Sequence, residues 1–239
     1  MDLAQHFVTA VSAVDSNVKG PELLPVALSR ACVAVLPVEG ASLSMTDELR
    51  VPLGASDEAA ARAERLQVTL GEGPCLAVTA AAEPQTFDLA AILSRWPMFA
   101  TEVLAQTPFR SVSSIPLSVP DLPRFGALDL FCTDPAGLAV ELVHEVATGI
   151  GEVISAALFA APTANYQHGV TLPTWLNVAS VTQRMNVWVA VGMLMENSGL
   201  DNSDALALLR AYAFGRQATL DDIARQVTNR ELALETVLS

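Results

Sequence analysis

The feature that most constrains the fold of this 239-residue chain is an apolar run near its C-terminus, from Val187 to Met195. Its nine residues are all apolar or small, and they lie within a pattern that predicts a helix. A helix that is apolar on every side must be covered on every side. Because three short helices are too few to cover it, the sequence predicts that a further surface packs against it. That surface belongs either to the rest of the chain or to a second copy.

The apolar run belongs to a predicted unit of three helices. The first helix is predicted over about residues 174–197, with Gly199 just beyond its last turn as the left-handed residue that ends many helices. The second, residues 201–215, begins with an aspartate that can cap it. The third, residues 219–237, begins with a threonine and has Asp222 three positions later, which is close to a capping box.

The first two thirds of the chain alternate between helical and strand patterns. The predicted order is two helices, two strands, helix–loop–helix, strand, helix interrupted at Pro97, two strands and helix. These lie at about residues 3–14 and 22–36, 41–53, 57–81, 83–89, 94–106, 109–132 and 135–161. The two strands before the last helix are joined by a turn at residues 120–123. This order predicts an α+β domain in which helices flank one antiparallel sheet.

The last helix of this domain is predicted to be a long connector. Small or apolar residues along it are spaced alternately by four and three: Ala139, Val143, Val146, Ile150, Val153, Ala157 and Ala160. This heptad pattern fits a seam that pairs with a second copy, and it also fits a stripe that packs on the domain's own sheet. Turn-forming residues after it predict a linker. The predicted domains are therefore 1–161 and 174–239, with the linker at 162–173.

Composition excludes several classes of protein. The chain is 51% hydrophobic and only 16% charged, which is typical of a folded globular protein. The apolar run is shorter than the roughly 20 residues that cross a bilayer, and the N-terminus lacks the pattern of a signal peptide, so we expect a cytoplasmic protein without a membrane partner. Its three cysteines and three histidines are scattered, so neither a disulfide framework nor a metal site is expected. No nucleophile, phosphate-loop or paired-carboxylate motif is found, so an enzyme and a cofactor are not expected either.

The net charge of −13 is unevenly distributed. Up to Ala164 there are eight basic and 19 acidic residues, whereas from Asn165 onward there are five basic residues, all arginine, and seven acidic ones. An acidic protein repels nucleic acid at long range. Any nucleic-acid binding by the C-terminal unit must therefore depend on a few placed arginines.

Two sets of motifs resemble known domains. The C-terminal set closely resembles the ANTAR domain of bacterial transcription antitermination regulators: Arg184, Ala190 to Met195, Ala205, Leu208 to Phe214 and Thr219 to Ala224. The upstream set resembles the GAF domain that precedes ANTAR in many actinobacterial proteins: Leu70 to Leu76, Arg95 to Pro97 and Gly126 to Leu128. Together the two resemblances cover nearly the whole chain.

The resemblance implies a function. An ANTAR domain is a helical RNA-binding module that recognises paired stem-loops in nascent leader transcripts and prevents a terminator from forming. The GAF domain is expected to control it as a sensor of an unidentified small molecule or as a dimerisation unit, so a homodimer is expected. The signal is expected to travel through the long connector helix, which would present or hide the two ANTAR surfaces.

The resemblance also assigns candidate residues. The RNA-binding candidates are Arg184, Arg210, Arg216, Arg225 and Arg230. The residues of the ANTAR core are Ala190, Gly192, Met193, Leu209, Tyr212, Ala213 and Ala224, of which Ala190 and Gly192 are expected to allow close helix approach. Cys75 and Trp96 are candidates for lining a GAF pocket. Asp221, four residues before Arg225, is expected to form a local ion pair with it.

The sequence departs from the ANTAR pattern at a few positions. Val189 and Val191 stand where a polar residue and a lysine are common, and Gln217 and Ala218 stand where Asn or Gly and Arg are common, with an arginine displaced to Arg216. These departures imply either weaker RNA binding or a helix that is buried more fully in a dimer.

Two other functions stay open. Residues 219–238 can be interpreted as a DNA-binding helix-turn-helix in which "TNRE" begins the recognition helix, although the turn lacks the usual glycine, so duplex DNA is not the expected partner. Alternatively, the chain is a GAF ligand sensor whose C-terminal unit makes only protein contacts.

Overall fold

The computed structural model describes residues 2–15, 20–45, 50–119, 124–165, 171–176 and 179–238. Its N-terminal part alternates helices and strands in the predicted order. These elements are α1 (Leu3–Asp15), α2 (Leu24–Val35), β1 (Gly40–Met45), β2 (Val51–Ala55), α3 (Glu58–Leu70), α4 (Pro74–Ala81), β3 (Gln85–Phe87), α5 (Leu89–Arg95), α6 (Pro97–Gln106), β4 (Ser111–Leu117) and β5 (Gly126–Cys132). The turn predicted at 120–123 lies outside the described residues.

The five strands form one antiparallel sheet in the order β2-β1-β5-β4-β3. The α+β class predicted from the sequence is therefore confirmed. Side chains alternate between the two faces of the sheet, so that Leu128 and Leu130 enter one apolar core while Asp129 and Phe131 point to the other face. Helices α1 and α2 cover the first face, and α3 to α6 cover the second.

The predicted connector helix is present, but the second half of its predicted heptad stripe is wrong. It comprises α7 (Val140–Val146), a π-helical turn (Ala147–Gly151) and α8 (Glu152–Ala160). The extra residue in the π turn changes the helical periodicity, so the buried stripe consists of Val143, Val146, Ile150, Ile154 and Leu158. This stripe packs into the first core of its own domain.

The same segment is apolar enough to be compared with a membrane helix. Among the described helices, only Val140–Ala160 has the length and composition that could span a bilayer. One side of this segment, its apolar stripe, is buried in the core of the α+β domain.

A small hairpin lies within the predicted linker. Strand β6 (Thr163–Asn165) pairs with strand β7 (Thr171–Pro173), and Trp175 follows in a 3₁₀ turn. The indole of Trp175 is buried in the N-terminal core, and its Nε1–H donates to the carbonyl of Leu158 at 2.8 Å. The segment just after the hairpin therefore packs with the N-terminal domain.

The C-terminal unit comprises α9 (Ala179–Ser198), α10 (Asn202–Gly215), α11 (Leu220–Thr228) and α12 (Leu234–Leu238). The predicted caps are present: Asp201 accepts from the backbone N–H of Asp204 at 2.9 Å, and Gly199 has a φ of 73°. The predicted cap at Thr219 is also present: Asp222 N–H donates to the Thr219 hydroxyl, and that hydroxyl donates to the Asp222 carboxylate, which makes an arrangement close to a capping box.

The third helix of this unit ends earlier than predicted. It stops at Thr228, and Arg230 adopts a φ of 61° before the short helix α12 begins. A non-glycine residue in the left-handed region interrupts helical hydrogen bonding. The predicted single helix over 219–237 is therefore wrong at its C-terminal half.

The apolar run on α9 is covered on only part of its circumference. Val187, Ala190, Val191 and Leu194 are buried in the C-terminal core, whereas Val189 is 52% exposed. One side of the run is therefore buried and the other faces solvent, although the residues on both sides are apolar. The partner surface predicted from the sequence is supplied in part by the chain itself, because Val68 of α3 belongs to the same apolar cluster.

The expected role of Gly192 in close helix approach is wrong within this chain. A Cβ built on Gly192 would meet no atom of the described residues within 4 Å, and the residue is exposed. Ala190, by contrast, is fully buried. Packing inside the chain therefore requires a small residue only at the alanine.

Replacing Gly192 with alanine is expected to raise the free energy of unfolding by about 0.5–1 kcal/mol, because alanine loses less conformational entropy in a helix and clashes with nothing here. Urea denaturation of the two proteins measures the difference. A clear loss of stability would instead show that another chain packs against this position.

Candidate nucleic-acid interface

The first candidate arginine is buried at a contact between the two parts of the chain. The side chain of Arg184 is 2% exposed, and its Nη2 donates to Asp221 Oδ2 at 3.0 Å. Its Nε and Nη1 have no hydrogen-bond partner among the described residues. Burial lowers the pKa of Arg184, and the Asp221 carboxylate partly offsets this effect.

The second candidate, Arg210, lies against the C-terminal end of α3. A Cβ on Gly71 would be 2.7 Å from Cζ of Arg210, so the guanidinium group occupies the space that a side chain there would need. Gly71 has a φ of 71° and ends α3 in the left-handed conformation. Arg210 Nε is buried without a partner in the described part of the chain, and burial, together with the nearby positive charge of Arg184, lowers the pKa of Arg210.

Helix α3 brings the two parts together. Val68 is buried in the apolar cluster of the C-terminal unit, and the backbone N–H of Leu220 donates to the Thr69 hydroxyl at 3.3 Å. Helices α10 and α11 pack against α3, while α9 lies against the edge strand β2. We call this contact, formed by α3 and β2 on one side and α9 to α11 on the other, the interdomain seam. The seam covers Arg184 completely and Arg210 in part.

The other three candidate arginines are exposed. Arg216 lies over the ring of Tyr212, 4.9 Å from its centroid, and Arg230 occupies the turn between α11 and α12. Arg225 pairs with Glu231 at 3.1 Å, so the predicted pair with Asp221 is wrong. The Asp221 carboxylate is instead used by the buried Arg184, which lies on another helix.

The predicted core residues are otherwise well placed. Ala190, Leu209, Ala213 and Ala224 are fully buried in the C-terminal cluster, and Met193 and Tyr212 are half-buried against it. Of the two valines that depart from the ANTAR pattern, Val191 is buried within the chain and Val189 faces outward.

Sequence reasoning missed a buried polar network on the second face of the sheet. Arg50 Nε donates to Glu64 at 2.6 Å, and its Nη2 donates to Glu64 at 2.9 Å and to Asp129 at 3.1 Å. Asp129 also accepts from Gln67 at 2.6 Å and from Ser114. The only sequence signal was a charged residue in the middle of an apolar strand, which is typical of a buried and paired group.

The network shifts the ionisation of its members. Burial raises the pKa of Asp129, and the neighbouring Glu64 carboxylate raises it further, whereas Arg50 acts in the opposite direction. Burial lowers the pKa of Arg50, but Glu64 and Asp129 outweigh it, so the net shift is upward. Arg50 therefore stays charged and binds two carboxylates between the sheet and α3, that of Asp129 on β5 and that of Glu64 on α3.

The two candidate pocket residues pack into the second core. Cys75 is fully buried, and Trp96 contacts Phe87 edge-on with ring centroids 5.0 Å apart. Among the residues that the structure describes, no group of three or more His, Cys, Asp or Glu side chains could hold a metal ion.

In the described part of the chain, an α+β unit packs against a helical unit that carries five arginines. Comparison with protein families assigns the second unit: residues 179–227 match the family model described as ANTAR domain. The C-terminal unit of the chain therefore matches the ANTAR domain family, as the sequence motifs predicted. No curated protein matches the chain.

Solved structures resemble the chain only distantly. A GAF domain from a phosphoenolpyruvate-protein phosphotransferase of Coxiella burnetii has a TM-score of 0.46 and 17% identity, and covers 64% of this chain and 92% of its own. A domain of a putative two-component sensor histidine kinase from Sinorhizobium meliloti 1021 has a TM-score of 0.45 and 16% identity, covering 59% of this chain and 92% of its own. Free methionine-R-sulfoxide reductase from Neisseria meningitidis has a TM-score of 0.44 and 15% identity, and covers 66% of this chain and 92% of its own. Likenesses at this level carry no argument about function.

Proposed function

We propose that this protein is a non-enzymatic RNA-binding regulator of transcription antitermination. Its ANTAR domain binds tandem stem-loops in nascent leader transcripts, and its GAF-like domain controls that binding in response to a small molecule or a partner. The observation that carries the proposal is the match of residues 179–227 to the ANTAR family. We further propose that the protein acts in the cytoplasm as a homodimer.

The exposed arginines suit single-stranded RNA loops. RNA loops are recognised through splayed bases that stack on aromatic rings and guanidinium planes, and through arginine contacts with phosphate. Arg216 and Tyr212 form such a stacked pair on the surface. Because the chain has a net charge of −13, these local contacts must act without a broad positive field.

A second candidate function is supported by the exposed side of α9. Met185 and Val189 are 59% and 52% exposed, and apolar residues there suit a protein contact better than an RNA contact. The helix-turn-helix interpretation has less support, because α12 has only five residues and Arg230 precedes it.

Titration of the purified protein with leader RNAs that carry tandem stem-loops, and with duplex DNA, tests the proposal. We expect binding to RNA that weakens steeply as salt rises, and much weaker binding to duplex DNA. Arg216→Ala is expected to weaken RNA binding by about 5- to 150-fold, which corresponds to a stacking contribution of roughly 1–3 kcal/mol.

Arg95→Ala is the matched control, since Arg95 also lies over an aromatic ring, that of Phe87, but in the N-terminal domain. It should leave RNA binding unchanged. Equal weakening by the two substitutions, or preference for duplex DNA, would contradict the proposal. Absence of RNA binding in a protein that self-associates through α9 would favour the protein-contact alternative.

A further inference from the structure

Of the five candidate arginines, Arg184 is not available on the surface of the chain in this packing, and Arg210 is only partly exposed. Arg184 is buried against Asp221, and Arg210 lies against Gly71 at the end of α3. Both belong to the face of the ANTAR domain that α3 and β2 cover. The three remaining candidates, in contrast, are on the uncovered surface.

We infer that this ANTAR face has two mutually exclusive partners, helix α3 of the same chain and RNA. In the docked state, in which α3 packs against the ANTAR domain as observed here, the chain binds RNA weakly. Separation of α3 from the ANTAR domain exposes Arg184 and Arg210, which can then bind RNA. The inference rests on the proposed function and specifies how the N-terminal domain controls it.

The polar chemistry of the seam supports two alternative partners. Among the described residues, the seam leaves Nε and Nη1 of Arg184 and Nε of Arg210 without acceptors. A buried donor without a partner is unfavourable, because it has lost its hydrogen bonds to water. RNA phosphates supply charged acceptors for guanidinium groups. These guanidinium donors therefore lack hydrogen-bond acceptors in the docked state and would gain phosphate acceptors on binding RNA.

The contacts that hold the seam closed lie on one side of α3. Val68 enters the ANTAR core, and the Thr69 hydroxyl accepts from the backbone of Leu220. The opposite side of α3, including Ala60 and Ala63, packs on the sheet of its own domain. Changes at Val68 or Thr69 therefore act on the seam and leave the packing of α3 on its sheet in place.

The polar network gives a route from the N-terminal core to the seam. Glu64, on α3, binds Arg50, and the charges of both groups act on Arg184 across the seam. A rearrangement of α3 on the sheet therefore changes the environment of Arg184 directly. This route does not pass through the connector helix, which packs on the other face of the sheet.

The test compares Val68→Glu with Leu93→Glu in the full-length protein. The first places a carboxylate in the buried seam, and the second makes the same kind of change on α5 at a side chain that is already 49% exposed. Accessibility is measured by mass spectrometry after modification with an arginine-specific dicarbonyl reagent, with the exposed Arg216 as the internal reference. RNA affinity is measured with the tandem stem-loop RNA.

We expect Val68→Glu to make Arg184 and Arg210 as reactive as Arg216 and to tighten RNA binding at least tenfold, with Leu93→Glu unchanged from the wild type. Adding Arg210→Ala to Val68→Glu should abolish most of the gain in RNA affinity.

Thr69→Val is a second variant that should open the seam, because it keeps the side-chain volume and removes only the acceptor for the backbone N–H of Leu220. It should act in the same direction with a smaller effect, and it preserves the test should the glutamate disrupt folding.

The outcomes separate this inference from the proposed function. If the opened variants expose both arginines yet bind RNA only as tightly as the wild type does, α3 does not compete with RNA, although the RNA-binding function stands. If the wild-type arginines are already fully reactive, the seam does not mask them. If the opened variants bind no RNA at all, the proposed function fails, and the competition fails with it.

Discussion

Replacing Arg50 with methionine is expected to lower the free energy of unfolding by about 3–5 kcal/mol, because it leaves two buried carboxylates without their cation. Arg50 is hydrogen-bonded to both Glu64 and Asp129, and its side chain is almost fully buried. A buried ion pair contributes little net stability when intact, yet the loss of one partner is strongly unfavourable. Urea denaturation near pH 7.5 measures the loss.

The matched control is Arg65→Met, which removes an arginine from the same region but at the surface. Arg65 pairs with Glu58, whose side chain is largely exposed, and surface ion pairs contribute at most about 1 kcal/mol. Similar losses for the two variants would show that the Arg50 network is not buried in solution.

The effect of Arg50→Met should also depend on pH. Burial already raises the pKa of Asp129, and removal of the guanidinium group raises it further. When the pKa of a carboxyl group is higher in the folded state than in the unfolded state, the free energy of unfolding falls as pH rises from the unfolded-state pKa to the folded-state pKa. The deficit relative to the wild type should therefore be smaller near pH 5 than near pH 8. An equal deficit at both values would mean that Asp129 does not titrate in that window.

The second large effect is expected for Leu194→Ala on α9. Leu194 is fully buried in the ANTAR core, and truncation of a buried leucine leaves a cavity and costs about 2–5 kcal/mol. Denaturation followed by tryptophan fluorescence measures this loss, since the half-buried Trp188 lies on the same helix.

Val189→Ala provides the control on the same apolar run. Because Val189 is 52% exposed in the chain, its truncation should change stability by no more than about 0.5 kcal/mol. A loss comparable to that of Leu194→Ala, dependent on protein concentration, would show that a second copy covers this side of α9.

Local structure was largely predictable from the sequence. The caps at Asp201 and Thr219 and the glycine after α9 act through neighbouring backbone groups, so their effect is encoded within a few residues. The strand around Leu128 was likewise predicted from its local sequence, and the structure has it as β5. Elements that depended on distant contacts were predicted less well, as the heptad seam of the connector and the end of α11 show.

The candidate site divides in the same way. The C-terminal motifs resembled the ANTAR domain, and the family match over residues 179–227 confirms that resemblance. Which arginines lie on the surface is decided by tertiary structure, since α3 is more than 100 residues away in sequence from Arg184 and Arg210. The sequence by itself thus determined the helices, the sheet and the family of the C-terminal domain. Only the packing of α3 across the seam decided that two of those arginines are covered, because burial depends on which surfaces meet, and no local pattern encodes that.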